Sequence, residues 1–146
     1  MDFLVRIPFV EQLGLELRRL EPGEAELALT LQESLTNSWG VAHGGVTMTM
    51  LDVAMAHAAR SPSQPGGEPQ PGVVTIEMKT SFMSAGQGRL TATGRLMHRT
   101  ASLAFTEGTV RDEGGAIVAH ATGTFKYMKG LPVGGGRRIQ RLNASD

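Results

Sequence analysis

A chain of 146 residues carries 14 basic and 14 acidic side chains, so its formal net charge is zero, and 40% of its residues are hydrophobic. That length suits about one domain with a buried core, and the balanced charge gives no electrostatic reason to expect a nucleic acid or an anionic membrane as partner. With no cysteine the chain has neither a disulfide framework nor thiolate chemistry, which is compatible with a reducing cytoplasm, the location we expect.

The opening Met1-Asp2-Phe3-Leu4-Val5-Arg6 places an acid second and lacks a long apolar stretch before a small-residue cleavage site, so no secretory signal is expected. No run reaches the roughly 20 apolar residues that cross a bilayer. Residues 7–13 predict a short helix, with Pro8 tolerated in its first turn and Gly14 as its stop. The period then changes. Leu15 and Leu17, then Ala25, Leu27, Leu29 and Leu31, alternate with polar residues on either side of Glu21-Pro22-Gly23, which predicts two strands joined by a tight turn.

After a loop, residues 46–59 contain no Pro, no Gly and one formal charge, and Ala, Met and Leu dominate, which predicts a helix. Both of its sides are apolar or small, so it belongs inside, and Asp52 is then a carboxylate set in an apolar rod. Such a group costs several kcal/mol unless it is hydrogen-bonded, hydrated or protonated, which makes it a candidate functional residue. The Pro- and Gly-rich residues 61–72 predict a surface connection. Four strand-like runs follow at 73–83, 89–98, 101–111 and 116–128, read as a four-stranded meander, with Glu113-Gly114-Gly115 as the last hairpin turn. In the last run Ile117, Ala119, Ala121, Gly123, Phe125 and Tyr127 share one face. The expectation is an α+β fold, about six antiparallel strands around one long central helix, as a single domain over 1–130. Residues 131–146, with Gly134-Gly135-Gly136-Arg137-Arg138, show no packing pattern and are expected to be a flexible tail.

The helix is entered through Asn37-Ser38-Trp39-Gly40-Val41-Ala42-His43-Gly44-Gly45, with Asp52 seven residues past the second glycine. This motif, with Val74-Thr75-Ile76-Glu77-Met78-Lys79 and Phe82-Met83-Ser84 later, resembles the hotdog fold. Within it the chain is similar to the acyl-CoA thioesterase branch of the phenylacetate-degradation and 4-hydroxybenzoyl-CoA thioesterases, over about residues 10–128. The resemblance implies hydrolysis of an aryl- or medium-chain acyl-CoA to free acid and CoA. It implies that the Asn37 side chain and the Gly44 amide polarise the thioester carbonyl, that Asp52 acts as general base or nucleophile, and that Thr75 helps place water. Gly45 and His43 complete the candidate catalytic set. CoA is part of the substrate, and no separate cofactor or metal is expected.

Independent chemistry agrees. Thioester hydrolysis builds negative charge on the carbonyl oxygen, and unpaired N–H groups at a helix start are suited to stabilise it. A carboxylate in an apolar cavity is a stronger base and nucleophile than one in water. The residues at helical spacing from Asp52 suggest an adaptable acyl cavity lined by Met48, Met55 and Ala56. Ser84 is a further substrate contact, and Arg60 and Arg99 are candidates for a CoA phosphate. Structural alternatives stand beside these: Asn37 as a loop or capping residue, His43 as a tie between loop and backbone, Thr75 as an ordinary strand residue.

Gly44 and Asp52 are eight residues apart, so the helix separates them by roughly 12 Å, whereas donor and attacking oxygen must meet at one carbonyl. A two-fold homodimer with antiparallel helices would bring Asn37 and Gly44 of one chain to Asp52 and Thr75 of the other. The resemblance implies the same, with dimers pairing into tetramers. Two rivals remain: a non-catalytic acyl-ligand binding protein, and an enoyl-CoA hydratase suggested by the spacing of Asp52 and His57. No Asn or Pro lies between those two residues, which sets the hydratase behind. His57 and His120 carry no further signal, and no residues have metal-ligand spacing.

Overall fold

The structure, a computed structural model, describes residues 1–128 and the backbone of a short ladder pairing Pro132–Val133 with Arg137–Arg138. The expectation of a flexible 131–146 otherwise lies outside the described residues. Helix α1 (Pro8–Leu13) starts on its proline and ends at Gly14 in the left-handed region, φ 79°. Strands β1 (Glu16–Glu21) and β2 (Glu24–Thr30) form the predicted hairpin, and helix α2 runs over Gly44–Arg60. Strands β3 (Val73–Phe82), β4 (Arg89–Arg99), β5 (Leu103–Arg111) and β6 (Ile117–Tyr127) follow.

All six strands form one antiparallel sheet in the order β1-β2-β4-β5-β6-β3, with α2 packed on it. The expected four-stranded meander is therefore corrected. Only β4-β5-β6 is a meander, and β3 pairs with β6 at the far edge while β2 pairs with β4. The crossing from β3 to β4 is made by residues 83–88, which bond Val118 (Met83 N to Val118 O, 2.8 Å), the entrance of α2 (Ala42 N to Gly86 O, 2.9 Å) and the end of β2 (Leu31 N to Gly88 O, 2.8 Å). Ile117 is also corrected: a register shift after Val110 turns it outward, and Val118 joins Ala119, Ala121 and Phe125 in the core.

The helix lies close against the sheet because glycines face it. A Cβ on Gly94 of β4 would sit 2.2 Å from the Ala54 carbonyl oxygen, and the Met55 side chain packs over Gly108 and Gly123. Most of α2 is consequently buried. The exception is a stripe of Gly45, Met48, Thr49 and Asp52, one helical face at spacings of three and four, which is only partly covered. Strand β3 has a neighbour on one side only, and Ile76 and Phe82 on it are more than half exposed.

Candidate active site

The chain enters α2 through a tight turn built on Asn37. Its N–H donates to the Val41 carbonyl at 2.8 Å, and its side-chain oxygen accepts from the Trp39 N–H at 2.9 Å and the Val41 N–H at 3.4 Å. The carbonyl half of the amide is thus used by the loop, and the NH2 half is left to donate to a ligand. His43 caps the helix, its Nδ1 accepting from the Gly45 N–H at 2.9 Å, while Val46 and Thr47 N–H share the His43 carbonyl. That accounts for the first-turn donors except Gly44, whose N–H has no acceptor among the described residues. His43 itself is exposed.

Asn37 and Gly44 open on one cavity of about 270 Å³, walled by Val41, Ala42, Thr47, Phe82 and Val118 and by Ser84, Ala85 and Gly86 of the crossing segment. The Phe82 ring lies 3.5 Å from where a Gly44 side chain would start, ordinary van der Waals contact, so the ring walls the cavity beside the helix entrance. Ser84 donates from Oγ to the Ile117 carbonyl at 2.8 Å. Phe82 and Thr47 also line this cavity and lie outside the residues that the motif singles out. The legible signal is Thr47, a polar β-branched side chain one turn past Gly44. A wider cleft of about 700 Å³ between the N-terminal segment and β1 contains none of these groups.

Two turns along, Asp52 is half-buried rather than enclosed, and Thr75 of β3 donates from Oγ1 to its Oδ1 at 2.7 Å. Carboxylate and hydroxyl are therefore brought together as expected, but in the same chain they lie apart from the cavity of Asn37 and Gly44, which neither lines. Met48 borders Asp52 on the half-covered stripe.

Four expected substrate contacts are corrected. Met55 and Ala56 are fully buried in the core, because that flank of the helix is the one the sheet covers. Arg60 is 4% exposed and donates from Nε to the Gln70 carbonyl at 3.2 Å, tying the connection back to the helix end; burial pushes its pKa down. Arg99 donates to the Tyr127 hydroxyl at 2.7 Å and to the Ala59 carbonyl at 2.9 Å, and Tyr127 donates to the same carbonyl at 2.6 Å. These two residues cap the C-terminus of α2, where a cation suits the macrodipole. His57 is fully buried, its Nδ1 2.8 Å from the Val53 carbonyl oxygen and its ring edge-on to Phe3. Burial pushes its pKa down to about 4, and its Nε2 has no partner, which suits a neutral core residue and not the second acid–base group of a hydratase.

A family model described as the thioesterase superfamily matches residues 40–119. The chain is 30% identical over 140 residues to the medium/long-chain acyl-CoA thioesterase YigI of Salmonella typhimurium, covering 88% of this chain and 89% of that one. It is similar to the conserved protein PA5202 of Pseudomonas aeruginosa, with a TM-score of 0.76, 29% identity, and 86% and 97% of the two chains covered. The Escherichia coli PaaI protein of the phenylacetic acid degradation operon shares the fold, with a TM-score of 0.74, 21% identity, and 82% and 83% coverage. The sheet wrapped on one long helix is thus the hotdog fold.

Proposed function

The chain belongs to the thioesterase superfamily, and from that premise we propose that it hydrolyses the thioester of a medium-chain or aryl acyl-CoA to the free acid and CoA. The observation that carries this reading is Asp52: a carboxylate on a helix otherwise apolar around it, held by the Thr75 hydroxyl and still half open.

Catalysis divides between two half-sites. The Gly44 N–H and the Asn37 NH2 donate to the carbonyl oxygen as it becomes an oxyanion, with the positive end of α2 behind them. Asp52 delivers oxygen to the carbon, either as general base toward water or as nucleophile, with Thr75 fixing the orientation of the carboxylate. The C–S bond then breaks, and the CoA thiolate leaves and takes up a proton; on the nucleophile route this leaves an acyl–Asp52 anhydride, which water hydrolyses to the free acid and the restored carboxylate. Because roughly 12 Å of helix separates Gly44 from Asp52, the active unit is a homodimer in which one chain polarises the carbonyl and its partner supplies the carboxylate. The open edge of β3 and its exposed Ile76 support this assembly, and a dimer of dimers is compatible with it.

The test is a hydrolysis screen over fatty and aryl acyl-CoAs with release of free thiol measured. We expect turnover by the wild type and a kcat at least about 100-fold lower for Asp52→Asn, which stays folded. Wild-type kcat in that variant would remove Asp52 from its role. Acyl-CoA binding without turnover in the wild type would favour the non-catalytic binding protein.

A further inference from the structure

The cavity behind Asn37 and Gly44 contains a hydroxyl that its packing does not explain. Thr47 is only 2% exposed and lines that cavity. A threonine inside a helix usually returns its hydroxyl to the carbonyl four residues back, as Thr49 does to Gly45 at 2.8 Å. Thr47 makes no such bond, nor any other to the described residues, so its Oγ1 is presented to the cavity with its hydrogen-bonding capacity unused. Valine has the same shape, so what threonine adds at this position is a hydroxyl that a ligand in the cavity can reach. Ser84, itself exposed, lines the same cavity. Its proton is committed to the Ile117 carbonyl, so its oxygen is left as an acceptor.

Resting on the thioesterase reading above, we infer that Thr47 and Ser84 are specificity residues that recognise a hydroxyl group on the acyl chain close to the thioester. The placement follows from the helix. With the carbonyl oxygen at the Gly44 N–H, the acyl group is the part of the substrate that suits an apolar cavity, while the polar pantetheine arm runs outward. Thr47 is one turn beyond Gly44, about 5 Å away, and that is the reach of an oxygen carried roughly two carbons beyond the carbonyl carbon. A hydroxyl there accepts from Thr47 and donates to Ser84, matching one donor and one acceptor. The substrate class is therefore a 3-hydroxyacyl-CoA of medium length, and Thr47 and Ser84 discriminate it from the unsubstituted chain.

The experiment compares kcat/KM for 3-hydroxyoctanoyl-CoA and octanoyl-CoA in the wild type, in Thr47→Val and in Thr47→Ser. We expect the wild type to prefer the hydroxylated chain by about tenfold, the scale of one well-placed hydrogen bond whose loss leaves a buried group unpaired. Thr47→Val should bring the ratio to about one, and Thr47→Ser, which keeps the hydroxyl, should restore the preference. A wild-type ratio near one overturns the inference while octanoyl-CoA turnover leaves the thioesterase reading standing. A ratio unchanged in Thr47→Val, with both substrates slowed alike, also overturns it and assigns the hydroxyl to water placement. Absence of turnover on either substrate by the wild type overturns the inference and removes the medium-chain half of the thioesterase reading, which the aryl acyl-CoAs of the screen then test.

Discussion

His57 spends its life neutral, and this makes stability depend on pH in a definite direction. Its pKa is about 4 in the folded chain against an ordinary 6.5, because burial disfavours the imidazolium; the Val53 carbonyl partly opposes this and the Arg60 charge adds to it. Above about pH 6.5 neither the folded nor the unfolded form binds the proton, and the residue costs nothing. As pH falls from 6.5 towards 4 the unfolded chain protonates first and draws the equilibrium its way, a loss that levels off at about 3 kcal/mol. Denaturant titrations at pH 7 and pH 5 should therefore show a smaller acid loss for His57→Leu than for the wild type, and equal losses would refute the assignment. Thr80 gives a simpler test, since its Oγ1 is buried without a partner. Thr80→Val keeps the shape and should raise stability by about 1 kcal/mol in the same titrations. At this scale Asn37, Gly44 and Asp52 are legible as candidates because they belong to one local motif. Met55 and Ala56 are misplaced because helical spacing says which residues neighbour Asp52, not which flank the sheet will cover.

The elements were legible where their signals are local and illegible where partners are distant. Helix α2 was foreseen from its composition and the strands from alternation and turns, but the place of β3 beside β6 depends on pairing such as Val73 with Tyr127, over fifty positions away, and no period of two reports that. The sequence points to Arg99 as a phosphate ligand for the same reason, since its acceptor, the Ala59 carbonyl, is 40 residues back along the chain. Its position as part of the α2 cap makes a prediction that separates the two roles. Arg99→Met should lower stability by about 1–2 kcal/mol, seen as a lower Tm, while the KM for acyl-CoA stays unchanged. A raised KM with unchanged Tm would return Arg99 to the substrate. The seating of α2 on the sheet is tested at Gly94, where a methyl group would meet the Ala54 carbonyl oxygen at 2.2 Å. Gly94→Ala should cost about 1–3 kcal/mol or more as the helix is pushed from its place, measured by thermal unfolding.

For the whole molecule the decisive question is whether one chain can perform the reaction. The Asn37 and Gly44 donors and the Asp52–Thr75 pair are each locally well formed, yet α2 keeps them roughly 12 Å apart, beyond the reach of a single thioester carbonyl. In the proposed homodimer, a two-fold axis that sets two α2 helices antiparallel would solve this for both chains at once and give two equivalent composite sites. Asn37→Ala and Asp52→Asn are then lesions in opposite halves of every site. A homodimer of either variant has both sites damaged, but a mixed dimer gathers both lesions into one site and leaves the other intact. With random exchange in an equal mixture, half of the dimers are mixed and each has one working site, so activity should return to about a quarter of the wild-type value per chain. Parental activity in a mixture whose subunits have verifiably exchanged would overturn the shared site, as would a fully active monomer by sedimentation at assay concentration.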